Sequence, residues 1–309
     1  MLVDRYLEHL AYEKRCSTLT VQAYGRDLKQ FQEFLGELGL EAPEAASEKM
    51  VRAFLMRLIE KGDSPRSVNR KLSSLKGFFR FARSTGSIDK EPTALVDPPK
   101  VPKRLPQFVE QRRMEELFNT IGSLEGFNGL GHRVVLELLY GTGMRLAELL
   151  GLKEVDVDPN ARTVKVLGKR NKERIIPIGD GLAAVLQAYL QERRHVITSY
   201  SQNTPLLIND RGEPLSRRTV QRIVAHYLGG VTTQKKRSPH VLRHTFATHM
   251  LEQGADLNAV KEILGHAGLA ATQVYTHNTV EKLRKVHAQA HPKGGGSPIG
   301  HQTIKKGEQ

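Results

Sequence analysis

The sequence predicts a mainly α-helical protein with two domains and one small β-hairpin. Apolar residues recur at helical spacing through most of the 309 residues, and period-two alternation is confined to one short stretch. A cluster of prolines at residues 92–106 separates a shorter first part from a longer second part. The hydrophobic content of 39% is sufficient for a packed core in each part.

Four apolar patterns of helical period predict a four-helix first domain at residues 1–91. The patterns lie at 3–10, 19–35, 51–59 and 68–79. Ser64 and Pro65 indicate where the fourth helix begins, because serine is a good N-cap and proline is tolerated in the first turn. Its basic residues lie mostly off the apolar stripe, and they are Arg66, Arg70, Lys71, Lys76, Arg80 and Arg83. This face is a candidate DNA-phosphate surface, and an ordinary solvated basic face is the alternative.

A proline-rich linker is predicted at residues 92–107. It contains five prolines between residues 92 and 106, interleaved with basic side chains that include Lys103 and Arg104. Proline restricts the backbone, so this segment is expected to act as a semi-rigid strap that can follow a phosphate backbone. The two domains would then clamp a duplex between them.

The second domain is predicted at residues 108–292. Period-two alternation at 163–167 and 173–178 predicts a β-hairpin, whose turn region and following strand carry Lys169, Arg170, Lys172 and Arg174. Arg170, Lys172 and Arg174 are candidate phosphate contacts. Further helices are predicted at 180–195, 216–228, 239–252, 256–264 and 279–290. Residues 293–309 are predicted to form a disordered tail.

Charge favours a nucleic-acid partner. The formal net charge is +14, and residues 99–309 hold 31 Lys/Arg against 19 Asp/Glu, whereas residues 1–98 hold 16 against 14. This excess favours a polyanionic partner, and an anionic membrane surface is the weaker option. No signal peptide or membrane-spanning run is visible, so a cytoplasmic location is expected. Cys16 is the single cysteine, which excludes an internal disulfide and a zinc site built on several cysteines.

Two arginines, Arg145 and Arg243, are candidates for holding a scissile phosphate. Cleavage of a phosphodiester by in-line attack concentrates negative charge on the non-bridging oxygens, and an enzyme without a metal must meet that charge with fixed cations. The planar guanidinium stays charged and can hold two oxygens at once. Arg145 follows Gly141-Thr142-Gly143, a glycine-bearing turn.

His240 is placed to assist Arg243. Ser238-Pro239 predicts an N-cap and a first-turn proline, so His240 would lie in the opening turn of a helix, where phosphates bind readily. Arg243 follows one turn later on the same face. The order His-x-x-Arg-His at residues 240–244 does not match a zinc motif, and His244 and His249 are interpreted as core or surface residues.

Three further residues complete the candidate site. Gly265 is expected to end a helix begun by Asp256, so His266 would be presented from a turn. Tyr275 is the candidate nucleophile. Lys169 in the hairpin turn is a candidate general acid for the departing 5′ oxygen, with Lys172 as its competitor.

These residues resemble the active site of the tyrosine recombinases, and of the Xer recombinases in particular. The resemblance covers residues 1–291. It implies a SAM-like helical DNA-binding domain followed by the family's catalytic domain. The implied catalytic residues are Arg145, Lys169, His240, Arg243, His266 and Tyr275. The resemblance favours Lys169 over Lys172 and makes Glu148 an acidic residue that supports the site.

The same resemblance implies strand exchange between two double-stranded DNA sites through a 3′-phosphotyrosyl intermediate and a Holliday junction, without ATP or metal. A homo- or heterotetramer would form, with the helix at 279–290 docked on a neighbouring protomer. A second Xer recombinase and a division-linked DNA translocase are the implied partners, for resolving chromosome dimers. An integrase of a mobile element, a type IB topoisomerase and a non-catalytic DNA-binding protein on this scaffold are the alternatives.

Overall fold

The computed structural model describes residues 1–102, 107–168, 172–197, 204–265 and 277–294. The chain divides into two compact units, Met1–Arg104 and Leu105–Gln309. The described residues are mostly helical with one small antiparallel sheet, which confirms the predicted fold class. Within these ranges, no helix is both long and apolar enough to cross a bilayer.

The first unit is a helical bundle. Within its described residues the α-helices are α1 (Leu2–Glu8), α2 (Thr18–Gly36), α3 (Glu48–Glu60) and α4 (Pro65–Ser84), as predicted, and α1 continues as a wider π-helical turn over His9–Glu13. The side chain of Ser64 accepts a hydrogen bond from the Ser67 N–H at 3.2 Å, which confirms it as the N-cap of α4.

Aromatic rings fill the core of this bundle. Phe31 meets Phe54 edge-on, with ring centroids 5.1 Å apart.

Val96 is buried in the same core, and Asn69 Nδ2 donates to the Pro99 carbonyl at 3.0 Å. The first unit therefore continues past the predicted boundary at residue 91, because burial of Val96 holds the first part of the proline-rich segment against the bundle. Residues 103–106 lie outside the described ranges.

The second unit is built around one central helix. Its helices are α5 (Gln111–Gly122), α6 (Gly126–Thr142), α7 (Leu146–Leu150), α8 (Asp180–Val196), α9 (Arg217–Val231), α10 (Pro239–Glu252), α11 (Leu257–Leu264) and α12 (His277–Ala290). Residues 134–142 of α6 are all buried, and α8, α10, α5 and α9 pack around it. The second half of α6 is therefore buried on all sides, and it provides a rigid base for the turn that follows it.

A three-stranded antiparallel sheet lies beside these helices. Its strands β1 (Val157–Asp158), β2 (Thr163–Leu167) and β3 (Glu173–Pro177) are hydrogen-bonded in that order. The β2–β3 hairpin is the predicted one. Strand β1 was not predicted, because a two-residue strand is too short to show alternation.

The C-terminal helix α12 packs on its own chain, against β3, α10 and α11. Leu283 and His287 are buried there, and His287 Nε2 lies 2.8 Å from the Gly141 carbonyl. Lys293 Nζ forms a salt bridge at 3.0 Å with the buried Glu137 and lies 3.8 Å from the Phe118 ring centroid. Lys293, the first residue of the tail that was predicted to be disordered, is therefore bound to the second unit. Residues 295–309 lie outside the described ranges.

Candidate active site

The turn between α6 and α7 positions Arg145. Gly143 has φ of 60°, and a Cβ atom there would lie 2.5 Å from Phe246 Cδ1, so both backbone conformation and space require glycine. Thr142 Oγ1 donates to the Leu138 carbonyl at 2.6 Å and accepts from the Met144 N–H at 3.2 Å. The chain therefore leaves α6 in a defined direction and places Arg145 at the N-cap of α7.

Glu148 holds Arg145 by both its backbone and its side chain. The Arg145 N–H donates to Glu148 Oε2 at 2.8 Å, and its guanidinium Nη1 donates to Oε1 at 2.8 Å. Burial opposes ionisation of Glu148, but hydrogen bonds from Arg174 and Arg145 outweigh it and hold the pKa of this carboxyl below its ordinary value. Glu148 therefore carries a negative charge at neutral pH. This geometry fits the supporting role that the resemblance implies.

Arg243 enters the same region from α10. Its guanidinium donates to the Gly143 carbonyl at 2.6 Å and to the Leu264 carbonyl at 2.8 Å. Arg145 also donates to the Leu264 carbonyl, at 3.5 Å, and to the Gly265 carbonyl at 3.3 Å. The two predicted phosphate-holding arginines, which are far apart in the sequence, thus converge on the C-terminal end of α11.

Arg243 retains its charge at neutral pH although it is buried. Burial, followed by the nearby Arg145, lowers the pKa of Arg243 to about 10, which still leaves it protonated. The Arg145 side chain is 43% exposed, whereas Arg243 is buried. An exposed cation beside a fixed, desolvated one is a suitable arrangement for an anionic group that arrives from solvent.

His240 lies in the first turn of α10 as predicted, with Pro239 at the start of the helix. Its side chain is exposed, and its pKa is lowered, first by partial burial and then by the positive charges of Lys236 and Arg243. The N-cap interpretation of Ser238 was wrong in one respect. Its side chain makes no capping hydrogen bond, and its buried hydroxyl has no partner among the described residues.

Three of the predicted catalytic residues, Lys169, His266 and Tyr275, lie outside the described ranges. The flanking segments are described. Gly168, which precedes Lys169, donates its N–H to the Lys172 carbonyl at 2.7 Å and closes the hairpin. Gly265, which precedes His266, ends α11 with φ of 64°, as predicted for a helix C-terminus.

Arg174 was predicted as a candidate phosphate contact, and the structure contradicts this because the side chain is buried. Its side chain is 5% exposed, and it donates to Glu148 Oε2 at 2.8 Å and Oε1 at 3.2 Å. Its Nε donates to the Ile263 carbonyl at 2.8 Å. The sequence held one signal of this burial, because Arg174 shares its face of β3 with the buried Ile176.

The other DNA-binding candidates differ in how far their side chains are exposed to solvent. Arg66 and Lys172 are exposed and Lys76 is partly exposed. Arg70 is paired with the buried Asp27 and keeps 46% of its side chain exposed. The prediction that Lys71 contacts DNA was wrong. Lys71 lies on the buried side of α4, and its Nζ donates to Asp63 Oδ2 at 2.6 Å. Lys103, Arg104 and Arg170 lie outside the described ranges.

A family model for the phage integrase family matches residues 107–282, and one for the phage integrase N-terminal SAM-like domain matches residues 3–86. The chain belongs to the phage integrase family. This family member is 38% identical to tyrosine recombinase XerC of Chlorobaculum parvum, over 94% of each chain. It is 37% identical to tyrosine recombinase XerD of Staphylococcus aureus, over 94% of this chain and 99% of the relative. The resemblance inferred from the motifs is thereby confirmed.

Solved structures share the fold of this integrase-family chain. The XerH site-specific recombinase bound to a palindromic difH substrate has a TM-score of 0.68 at 23% identity, covering 89% of this chain and 81% of that one. A lambda integrase dimer bound to a core site has a TM-score of 0.66 at 21% identity, covering 89% and 98%. At these identities the likeness shows the fold alone.

Proposed function

We propose that this chain is a Xer-type site-specific recombinase that cuts and rejoins DNA with Tyr275 as nucleophile. The observation that carries the proposal is the convergence of Arg145 and Arg243 on the Leu264 carbonyl. Two fixed guanidinium groups at one point are suited to hold the non-bridging oxygens of a single phosphate. His266 and Tyr275 follow this point in the sequence, and His240 is one turn from Arg243 on α10.

In the proposed step, Tyr275 Oη attacks the scissile phosphorus in line with the 5′ oxygen. A P–Oη bond forms as the Tyr275 hydroxyl gives up its proton to solvent water, the P–O5′ bond breaks, and the 5′ oxygen takes a proton from Lys169 and leaves as a hydroxyl. Arg145, Arg243, His240 and His266 meet the charge on the non-bridging oxygens. Because one phosphoester replaces another, a 5′-hydroxyl from the partner strand can later reverse the step without external energy.

The cellular role that we propose is resolution of chromosome dimers in the cytoplasm. Similarity over nearly the whole length of XerC and XerD supports this role over that of a mobile-element integrase. The active form would be a tetramer on two DNA sites, assembled alone or with a second Xer recombinase and controlled by a division-linked DNA translocase. In that tetramer α12, which packs on its own domain in this structure, would move to a neighbouring protomer.

A nicked suicide substrate of the dimer-resolution type tests the nucleophile. The nick lets a short fragment diffuse away after cleavage, so a covalent intermediate accumulates. We expect wild type to form an adduct that resists denaturant and Tyr275→Phe to form none, although both bind the DNA. An adduct with both proteins would rule out Tyr275 as the nucleophile.

The same assay separates the alternative functions. If wild type formed no adduct with any genomic fragment, even with a partner recombinase present, this would contradict catalysis and favour the non-catalytic alternative. Relaxation of supercoiled DNA without a specific site would indicate a topoisomerase.

Salt dependence tests the DNA-facing side of α4 with a matched pair of variants. Each phosphate contact contributes about −0.9 to the slope of log affinity against log salt. We expect Arg66→Ala to make this slope shallower by about one unit. Lys71→Ala should leave the slope unchanged, since Lys71 is buried and bound to Asp63. Equal slopes for Arg66→Ala and wild type would remove Arg66 from the DNA interface.

A further inference from the structure

Arg174 occupies a buried position where three segments of the second unit meet. It contacts both carboxylate oxygens of Glu148 on α7, and its Nε donates to the Ile263 carbonyl near the end of α11. A Cβ atom at Gly265 would lie 3.1 Å from Arg174 Nη1, and one at Gly168 would lie 3.5 Å from it. The guanidinium therefore packs directly under the ends of α11 and of strand β2.

Each of these segments carries one residue of the proposed catalytic set. Glu148 holds Arg145 by backbone and side chain. Gly265 immediately precedes His266, and Gly168 immediately precedes Lys169. One guanidinium thus makes contact next to three residues that the proposed mechanism uses, although it is itself buried away from solvent.

Charge argues against a purely structural ion pair. The guanidinium groups of Arg145 and Arg174 both donate to the carboxylate of Glu148, and the guanidinium of Arg243 lies near enough to be stabilised by its charge. A buried pair that serves only stability would be expected to balance its charges, since uncompensated buried charge is costly. The excess positive charge that remains here suits a site that receives an anion.

We propose that Arg174 is a positioning residue for strand cleavage, which holds Glu148, and through it Arg145, together with the ends of α11 and of strand β2. The inference rests on the proposed function. The planar fork of arginine is required, because it donates to Glu148 with its two terminal nitrogens and to Ile263 with Nε. A lysine at this position would keep the charge but cannot make these contacts in one fixed geometry.

The test uses single-turnover cleavage of the nicked substrate at saturating protein, with DNA affinity measured separately. We expect Arg174→Lys to slow cleavage by about 10²-fold, because a displacement of about 1 Å at a site of this kind has an effect of that size. The Kd for DNA should stay within about twofold, since Arg174 does not reach the surface. Arg174→Gln, which is less disruptive than removal of the whole side chain, should behave in the same way.

Arg193→Lys is the matched control. Arg193 is another buried arginine of the second unit, and among the described residues it is paired with Glu154 and the Pro205 carbonyl, which are not part of the site. It should lower thermal stability about as much as Arg174→Lys but leave the cleavage rate within about threefold of wild type. The double variant Glu148→Gln/Arg174→Lys should be little slower than either single variant, because the two residues act through one contact.

The inference would be overturned by cleavage of Arg174→Lys at the wild-type rate, or by equal loss of cleavage in Arg174→Lys and Arg193→Lys. A change in Kd without a change in cleavage rate would also contradict it and restore the phosphate-contact interpretation. Failure of the proposed function is distinguishable from all of these, because wild type itself would then form no Tyr275 adduct.

Discussion

Arg243→Ala is expected to lower the rate of DNA cleavage by about 10³-fold, because loss of one fixed donor to a developing negative charge has an effect of this size. Arg243 is held rigidly by the Gly143 and Leu264 carbonyls. Its two contacts use only part of the guanidinium, which has five N–H donors in all. The remaining donors can meet a phosphate without any change in side-chain position, which is the condition for strong electrostatic catalysis.

The measurement is the single-turnover rate of adduct formation at saturating protein. Arg243→Lys should restore little of the rate, because an ammonium cannot bridge the two carbonyls and the phosphate together. Arg194→Ala removes an exposed arginine of α8; it is the control and should cleave like wild type. A rate for Arg243→Ala within tenfold of wild type, with the fold intact, would exclude a direct role for Arg243 at the phosphate.

Glu148→Gln is expected to reduce both folding stability and cleavage. The substitution removes the negative charge between Arg145 and Arg174 and leaves the buried Arg174 cation without its counterion. Breaking a buried pair in this way typically costs about 3–5 kcal/mol of unfolding free energy. Cleavage should also fall by about 10²-fold, because Arg145 loses the side-chain contact that orients it.

The pH dependence of stability provides a second readout. The folded-state pKa of Glu148 lies below its ordinary value. Its contribution to stability is therefore present above the unfolded-state pKa and is lost as the pH falls through the folded-state pKa. Wild type should lose stability over this acidic range, and the loss should be smaller in Glu148→Gln.

Denaturant melts between pH 7 and pH 3 test this expectation. Glu154→Gln, which disrupts the Arg193 pair, is the control that lowers stability without slowing cleavage. A Glu148→Gln protein with wild-type cleavage would show that Arg145 needs no carboxylate to orient it. An unchanged stability-versus-pH curve would show that Glu148 does not titrate in the range expected.

Local patterns predicted most elements of the fold. Helical spacing located α1–α4 and most helices of the second unit, and alternation located the β2–β3 hairpin. Each of these signals spans a few turns or one strand, so it can be read without knowing what packs against it. The short strand β1 and the burial of Val96 were not predictable in this way, because both depend on partners distant in the sequence.

The burial of charged residues was the feature that local sequence patterns predicted least well. The sequence predicted three basic residues as DNA contacts, Arg66, Lys71 and Arg174. Of these three, only Arg66 is exposed. Whether an arginine or lysine is buried depends on a carboxylate or carbonyl supplied by another segment, since an unpaired buried charge is too costly. Asp63 supplies that partner for Lys71, and Glu148 supplies it for Arg174.

The sequence by itself determined the family, the helical architecture and the identity of the proposed catalytic residues, because these are recorded in residue type, order and local spacing. Only the tertiary structure decided that Arg145 and Arg243 meet at the Leu264 carbonyl and that Arg174 lies beneath them. The physical reason is that hydrogen bonds between α7, α10, α11 and β3 form only when the core brings these segments together. No local sequence pattern encodes the distance between segments that are far apart in the chain.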